Sequence, residues 1–510
     1  MKSTHSFCTL AITTALALAI PAVYAADAPT LPATKVSAIT QTNQSYNRFI
    51  VTYRDGSSER SNRNAVMQNV QSAVSRMGLD RATRSSTGAA IAPLTVSYQR
   101  KLAVGADLVR TSRKLSANEA TTLMQQIATD PAVLHVEPDV MMRAVRDFRA
   151  PTTMKPSELI SGAPNDPYYA QYQWDYNNPT GGANIEQAWS LADGTGITVA
   201  VLDTGITEHP DLDTSLADDG YDFISDSFVS GRDTDDRTPG GWDLGDWTTT
   251  EPWLSECTDA QNPPEDSSWH GTHVSGTVGE MTDNGVGMAG VAHNAKVLPI
   301  RVLGHCGGYN SDIADAIVWA SGGHVDGVPD NQHPAQVINM SLGGGGVCLA
   351  SDVTGTAIAS ALSRGTTVVV AAGNSGSDAG LFSPASCPGV IAVGSNGITG
   401  KRAFYSNYGA TVSIAAPGGG IYPNDGSTGT PTNDGFIWSS LNDGETTPDN
   451  PVYGGMAGTS QATPHVAGAV ALILSAQQQA GLPVSTPAKL RQLIMSTARP
   501  FPVPVDQPLG

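Results

Sequence analysis

Positive charge, long apolar runs and cysteine are all scarce in this sequence, and each scarcity excludes something. Lys and Arg number 28 against 47 Asp and Glu, a formal net charge of −19, which argues against nucleic acid as a partner. No segment beyond residue 25 is apolar over the ~20 residues that a bilayer span requires, so no membrane span is expected. The histidines are scattered and no HExxH accompanies them, which argues against zinc. Of five cysteines, Cys8 lies too far before a small-residue site to become a lipidated terminus.

What is present begins with an export signal. Lys2 precedes an apolar stretch from Cys8 to Ile20, and Val23 and Ala25 supply small residues for cleavage after Ala25. The protein is therefore expected to be secreted. Its other four cysteines, an even number, then favour disulfides over metal thiolates. Three pairings are possible. The sequential one, Cys257 with Cys306 and Cys348 with Cys387, is expected, each bridge contributing ~3–4 kcal/mol.

Charge divides the chain. Residues 1–150 carry 17 Lys and Arg against 10 Asp and Glu, whereas residues 151–510 carry 11 against 37, so the two parts attract each other. Residues 43–140 read as a small α+β domain, from the strand-like Asn47–Tyr53 to a last strand near Val133–Asp139. The stretch Asn118–Ile127 has helical spacing and is closed by Asp130-Pro131. From Met141 to Gly162, Arg, Pro, Ser and Thr without periodicity mark a linker and a natural cleavage region. The expected divisions are 1–25, 26–150 with its boundary within 141–162, and 163–510.

Within the last division, apolar runs alternate with helical stretches: Ile197–Leu202, Lys296–Val302, Val337–Met340, Thr366–Ala372 and Val390–Val393. This alternation implies a parallel α/β sheet, with ligands beyond the carboxyl ends of its strands. Four polar motifs fall at such places. Ala200-Val201-Leu202-Asp203-Thr204-Gly205 ends a strand in an acid. Trp269-His270-Gly271-Thr272-His273 puts His270 at a helix start, with His273 read as structural. Ala371-Ala372-Gly373-Asn374-Ser375-Gly376 ends another strand in an amide. Gly458-Thr459-Ser460-Gln461-Ala462 sets Ser460 at a helix N-terminus, where free N–H groups favour developing negative charge. Ser460 does not lie in the GxSxG elbow of an esterase.

Taken together, these segments resemble the signature segments of the subtilase family, in the order Asp, His, Asn, Ser. The resemblance covers nearly all of residues 163–510. It implies a three-layer subtilisin-like peptidase domain of the α/β class with Asp203, His270 and Ser460 as a triad and Asn374 as an oxyanion donor. Ser341, Leu342, Gly343 and Gly344 resemble the strand that pairs with substrate, and with Ala371, Gly373 and Gly380–Pro384 they would wall an uncharged specificity pocket. Met281, Asn284, Val286 and Met288, joined by Asp166 and Asp211, resemble a structural calcium site, since calcium accepts carbonyl, amide and carboxylate oxygens together. The N-terminal domain resembles the family's inhibitory propeptide, a ferredoxin-like α+β fold that assists folding and blocks the groove.

The expected activity is broad endopeptidase action on proteins by a self-processed, monomeric zymogen. A selective processing protease, with acidic side chains aimed at a basic substrate, and a catalytically dead binding protein are the alternatives. Two segments depart from a minimal subtilase, the acidic, Trp-rich insertion Ser230–Asp266 and the Gly/Asp/Thr-rich stretch Gly418–Asn450; either could rim the groove and confer preference for a substrate or matrix protein, and both are expected rather to solvate the surface. The chain also stops where relatives continue with a strand and a closing helix, which suggests a truncated copy.

Overall fold

Strands covered on both faces must be apolar throughout, and this is why the central sheet was readable as continuous runs. The computed structural model describes residues 35–39, 44–84, 90–145, 147–154 and 164–502. The expected export signal, part of the expected cleavage region and the chain end lie outside these residues. An eight-stranded sheet runs Thr238–Pro239, Tyr221–Asp222, Lys296–Arg301, Thr198–Asp203, Val337–Met340, Thr367–Ala371, Ile391–Asn396, Val412–Pro417. All neighbours are parallel except the first pair.

Side chains alternate across this sheet and divide the interior in two. Ile338, Met340, Val368 and Val370 face the helices Asn310–Ala320 and Val353–Ser363. Val337, Val369 and Val393 share the opposite core with Val274 and Val278 of the helix His270–Gly279 and with Ala467 and Val470 of the helix Thr459–Gln479. The result is the expected three-layer α/β architecture. Among the described residues, no helix is long and apolar enough to cross a membrane.

The N-terminal layer is an α+β unit with the order strand, helix, two strands, helix, strand. Its antiparallel sheet runs Val96–Lys101, Asp107–Ser116, Ser45–Tyr53, Val133–Pro138, and the helices Arg63–Arg76 and Ala117–Ile127 bury Val70, Val74, Leu123 and Ile127 in its core. From Lys35 onward the chain forms one compact unit, with this layer packed on the α/β body. Carboxylates of the layer meet the starts of two body helices. Asp139 accepts from the N–H of Ser311 at 2.9 Å and from its hydroxyl at 2.8 Å, while Glu137 accepts from the N–H of Val353 at 2.6 Å. Helix starts carry unpaired N–H groups and partial positive charge, so these acids act as caps donated by another layer. Arg48 bonds Asp139 at 2.8 Å, and Arg100 bonds Asp312 at 2.8 Å.

Two readings of the sequence are corrected here. The segment read as a linker contains two strands, Met141–Ala144 and Phe148–Met154, both paired with the body. Their pairing depends on the body's strand edges, so local periodicity could not reveal it. The stretch Gly418–Asn450 contains the buried strand Ile437–Asn442, paired with Pro451–Ala457. Its polar flanks hide it.

Candidate active site

The carboxyl edge of the sheet is where strand ends and helix starts converge. Asp203 ends its strand fully buried, and its Oδ1 accepts from His270 Nδ1 at 2.7 Å and from the N–H of Thr204 at 2.8 Å. A short relay fixes the two elements: the N–H of Gly271 donates to Thr204 Oγ1 at 3.0 Å, and that hydroxyl donates to Asp243 at 2.6 Å. Burial opposes a charge on His270, but Asp203 and Asp147 outweigh it and push its pKa up to about 10. His273 behaves differently. Its Nε2 donates toward the carbonyls of Ile437 and Gly454, each at 3.1 Å, and burial together with the charge of His270 takes its pKa down to about 3.

Ser460 is the second residue of its helix and is buried. Its Oγ donates to the carbonyl of Ser341 at 3.3 Å, and Ser341 Oγ donates back to the carbonyl of Ser460 at 2.8 Å. Asn374 accepts at Oδ1 from the N–H and hydroxyl of Thr459, at 2.8 and 2.9 Å. Its Nδ2 is thereby turned into the site. Gly373, at φ 105°, forms the turn that delivers Asn374, and a Cβ there would stand 2.3 Å from Asn407 Nδ2. Ala371 is buried in the preceding strand.

The chain's own segment crosses this site. Met141–Ala144 runs antiparallel to Leu342–Gly345, with Ala144 opposite Leu342 and Arg143 opposite Gly343. On the other side of the groove strand, Gly344 pairs with Ser383. Beyond the site, Phe148–Met154 runs antiparallel to Pro451–Ala457, with Phe148 opposite Ala457. Between these anchors, Asp147 Oδ2 lies 2.9 Å from His270 Nε2 and accepts from Gln461 Nε2 at 3.0 Å, while Oδ1 accepts from Asn374 Nδ2 at 3.1 Å. Asp147 and Gln461 were missed in the sequence. The first lies in a segment without periodicity, and a glutamine after a serine carries no signature of its own.

The acidic insertion does not merely solvate the surface. A cavity of about 150 Å³ beside His270 is lined by Asp246, Glu265 and Asp266 of the insertion together with Arg143 and Arg149 of the crossing segment. Arg143 donates to the carbonyl of Cys257 at 3.4 Å. The disulfide Cys257–Cys306 ties this part of the insertion to the body, and Cys348–Cys387 is the second bridge, both in the expected pairing.

Comparison with known proteins agrees with this geometry. The family model described as the subtilase family matches residues 194–509. An extracellular protease of Xanthomonas campestris is 44% identical over 461 residues, covering 90% of this chain and 70% of its own. An extracellular basic protease of Dichelobacter nodosus is 39% identical over 483 residues, covering 93% and 70%. A solved protease structure from Pseudoalteromonas arctica is 46% identical with a TM-score of 0.61, covering 68% of this chain and 95% of its own. The chain belongs to the subtilase family.

It is accordingly a serine peptidase, and the loop that resembles the subtilase calcium site can be tested against its donors. Asp211 is fully buried and accepts from Asn284 Nδ2 and from the N–H of Met288, both at 2.8 Å. Asp166 accepts from the N–H groups of Asp283 and Asn284 at 3.0 and 3.3 Å. The N–H of Met281 donates to the carbonyl of Asp211 at 2.9 Å, and that of Val286 to Asn284 Oδ1 at 2.7 Å. Gly287 is obligatory, because a Cβ would come within 2.2 Å of Asp211 Oδ2. Burial above all raises Asp166 to about 6 and Asp211 to about 7, with the charge of Asp283 adding to the first and that of Asp166 to the second. Two buried carboxylates with no cationic side chain bonded to them among the described residues are charged oxygen donors of the kind that calcium takes, whereas Met281, Asn284, Val286 and Met288 meet the loop's acceptors here through N–H groups.

Proposed function

We propose that the chain is the precursor of a secreted, monomeric serine endopeptidase that cleaves proteins broadly and releases itself by self-cleavage. The observation that carries this reading is that Asp147, just beyond a segment paired to the groove strand, meets both His270, which Asp203 holds, and Asn374, near the start of the helix that carries Ser460. His270 takes the Ser460 proton as Oγ bonds to the carbonyl carbon, and Asn374 Nδ2 with the Ser460 N–H holds the resulting oxyanion. Asp203 holds the imidazole tautomer and stabilises its charge. The C–N bond then breaks as His270 protonates the amine, and water hydrolyses the acyl-enzyme through the same base.

Residues 26–150 serve as propeptide in this reading, held by opposite charge and by the caps on the two body helices. Strand pairing on both sides of the site supports self-cleavage between Ala144 and Phe148. Calcium, held by Asp166, Asp211, Asn284 and the carbonyls of Met281, Val286 and Met288, would stiffen the loop. A Ser460→Ala precursor should remain uncut and leave casein intact, whereas wild type matures and digests it. Maturation of the Ser460→Ala protein would sink the assignment.

One observation favours a more selective enzyme. Arg143 interacts electrostatically with Asp259 and Glu265 of the insertion, so a basic residue opposite Gly343 should be preferred. The mature enzyme should cleave a peptide spanning residues 140–150 about three- to tenfold faster than its Arg143→Gln version, a difference that salt erodes. Equal rates would leave broad specificity as the whole account.

A further inference from the structure

The carboxylate of Asp147 presents two oxygens to the site, as do both the acid product and the tetrahedral species that precedes it. Oδ1 faces Asn374 Nδ2 at 3.1 Å and so stands in for the oxyanion. Oδ2 lies 2.9 Å from His270 Nε2, out of line for a hydrogen bond, and so marks the neighbourhood of the oxygen whose proton the imidazole removes. In acyl-enzyme hydrolysis that oxygen comes from water. Gln461 Nε2 donates to this same Oδ2 at 3.0 Å. The side chain is fully buried immediately after the nucleophile, and its Oε1 has no hydrogen-bond partner. The amide has little choice of orientation, since its oxygen turned toward a carboxylate would be repelled.

We propose that Gln461 is a positioning residue for the hydrolytic water, holding it against His270 during breakdown of the acyl-enzyme. The inference rests on the peptidase reading above. Water accepts a hydrogen bond from Gln461 Nε2 and gives one proton to His270 Nε2 while its oxygen bonds to the acyl carbon. The bond from that carbon to Ser460 Oγ then breaks, and His270 returns the proton to Oγ. The carboxylic acid leaves with the water oxygen. Acylation uses the peptide's own leaving nitrogen and needs no such water, so the two half-reactions should respond differently.

The test compares self-processed wild type with Gln461→Met, which keeps the volume, and Gln461→Glu, which keeps the shape. Pre-steady-state hydrolysis of a p-nitrophenyl ester separates the acylation burst from steady turnover, and added glycinamide measures aminolysis against hydrolysis of the same acyl-enzyme. In Gln461→Met the burst rate should stay within about twofold and steady turnover should fall about tenfold, the size of one net hydrogen bond. Partition toward aminolysis should rise by a similar factor. Equal loss in burst and turnover, an unchanged partition, or failure of both variants to mature would overturn the proposal, because each implicates packing or acylation instead. Wild type that turns the ester over no faster than Ser460→Ala would overturn the triad reading itself.

Discussion

Removing the carboxylate of Asp147 should accelerate maturation. In the uncut chain this group lies 2.9 Å from His270 Nε2 with its side chain only 7% exposed, and it helps Asp203 hold His270 at about 10. At pH 8 a base with that pKa is neutral in roughly 1% of molecules. In the proposed mechanism only the neutral ring takes the Ser460 proton, so the precursor would work with a small fraction of its base. Asp147→Ala removes one of the two carboxylates that raise the His270 pKa, so the neutral fraction and the rate of self-cleavage should rise, by less than the ~10²-fold limit because Asp203 remains. Asp147→Asn keeps the shape while removing the charge and should follow. The pH profile carries an independent sign. Wild-type self-cleavage should climb with pH as His270 loses its proton near pH 10, whereas the Asp147→Ala profile should level off at lower pH. Time-resolved gels of precursor conversion from pH 6 to 10 read both quantities. Equal rates at pH 8 with coincident profiles would refute the reasoning.

Asp203→Asn should preserve the fold while slowing casein hydrolysis by ~10⁴-fold, because the tautomer of His270 is then no longer fixed; a loss under tenfold would contradict the triad. Chelation of calcium should lower the unfolding midpoint of the Ser460→Ala precursor, about 2.7 kcal/mol being at stake at a hundredfold excess over Kd. Asp211→Asn should abolish that response, and a calcium-independent midpoint in wild type would dismiss the site. The buried His273 sits at about 3 when folded, below its value in the unfolded chain. Its contribution is present above about pH 6.5 and is lost as pH falls toward 3, roughly 2 kcal/mol by pH 5. Urea midpoints at pH 7 and 5, with His273→Gln as the comparison, measure it.

How much of this was legible depended on where each residue finds its partner. Thr367–Ala371 reads as a strand because both faces are buried, a property written into consecutive side chains. His270 and Ser460 read as helix starts because glycine, small residues and the following apolar run are all local. The strands Met141–Ala144 and Phe148–Met154 exist only because groove edges wait for them, and no pattern inside them records this. Asp147 was illegible for the same reason. The insertion looked like a solvated acidic loop until the disulfide at Cys257 and the cavity beside His270 placed its carboxylates against arginines. Glu137 and Asp139, read as the end of a strand, became caps only when helices more than a hundred residues away were in view.

Those borrowed caps tie the proposed maturation to the history of the fold. The helices at Asn310 and Val353 are completed by acids from a layer that self-cleavage would cut loose. On that reading the body would persist without the groups that complete two of its helices. Its lifetime would then be set by how slowly it opens rather than by an equilibrium with the unfolded chain.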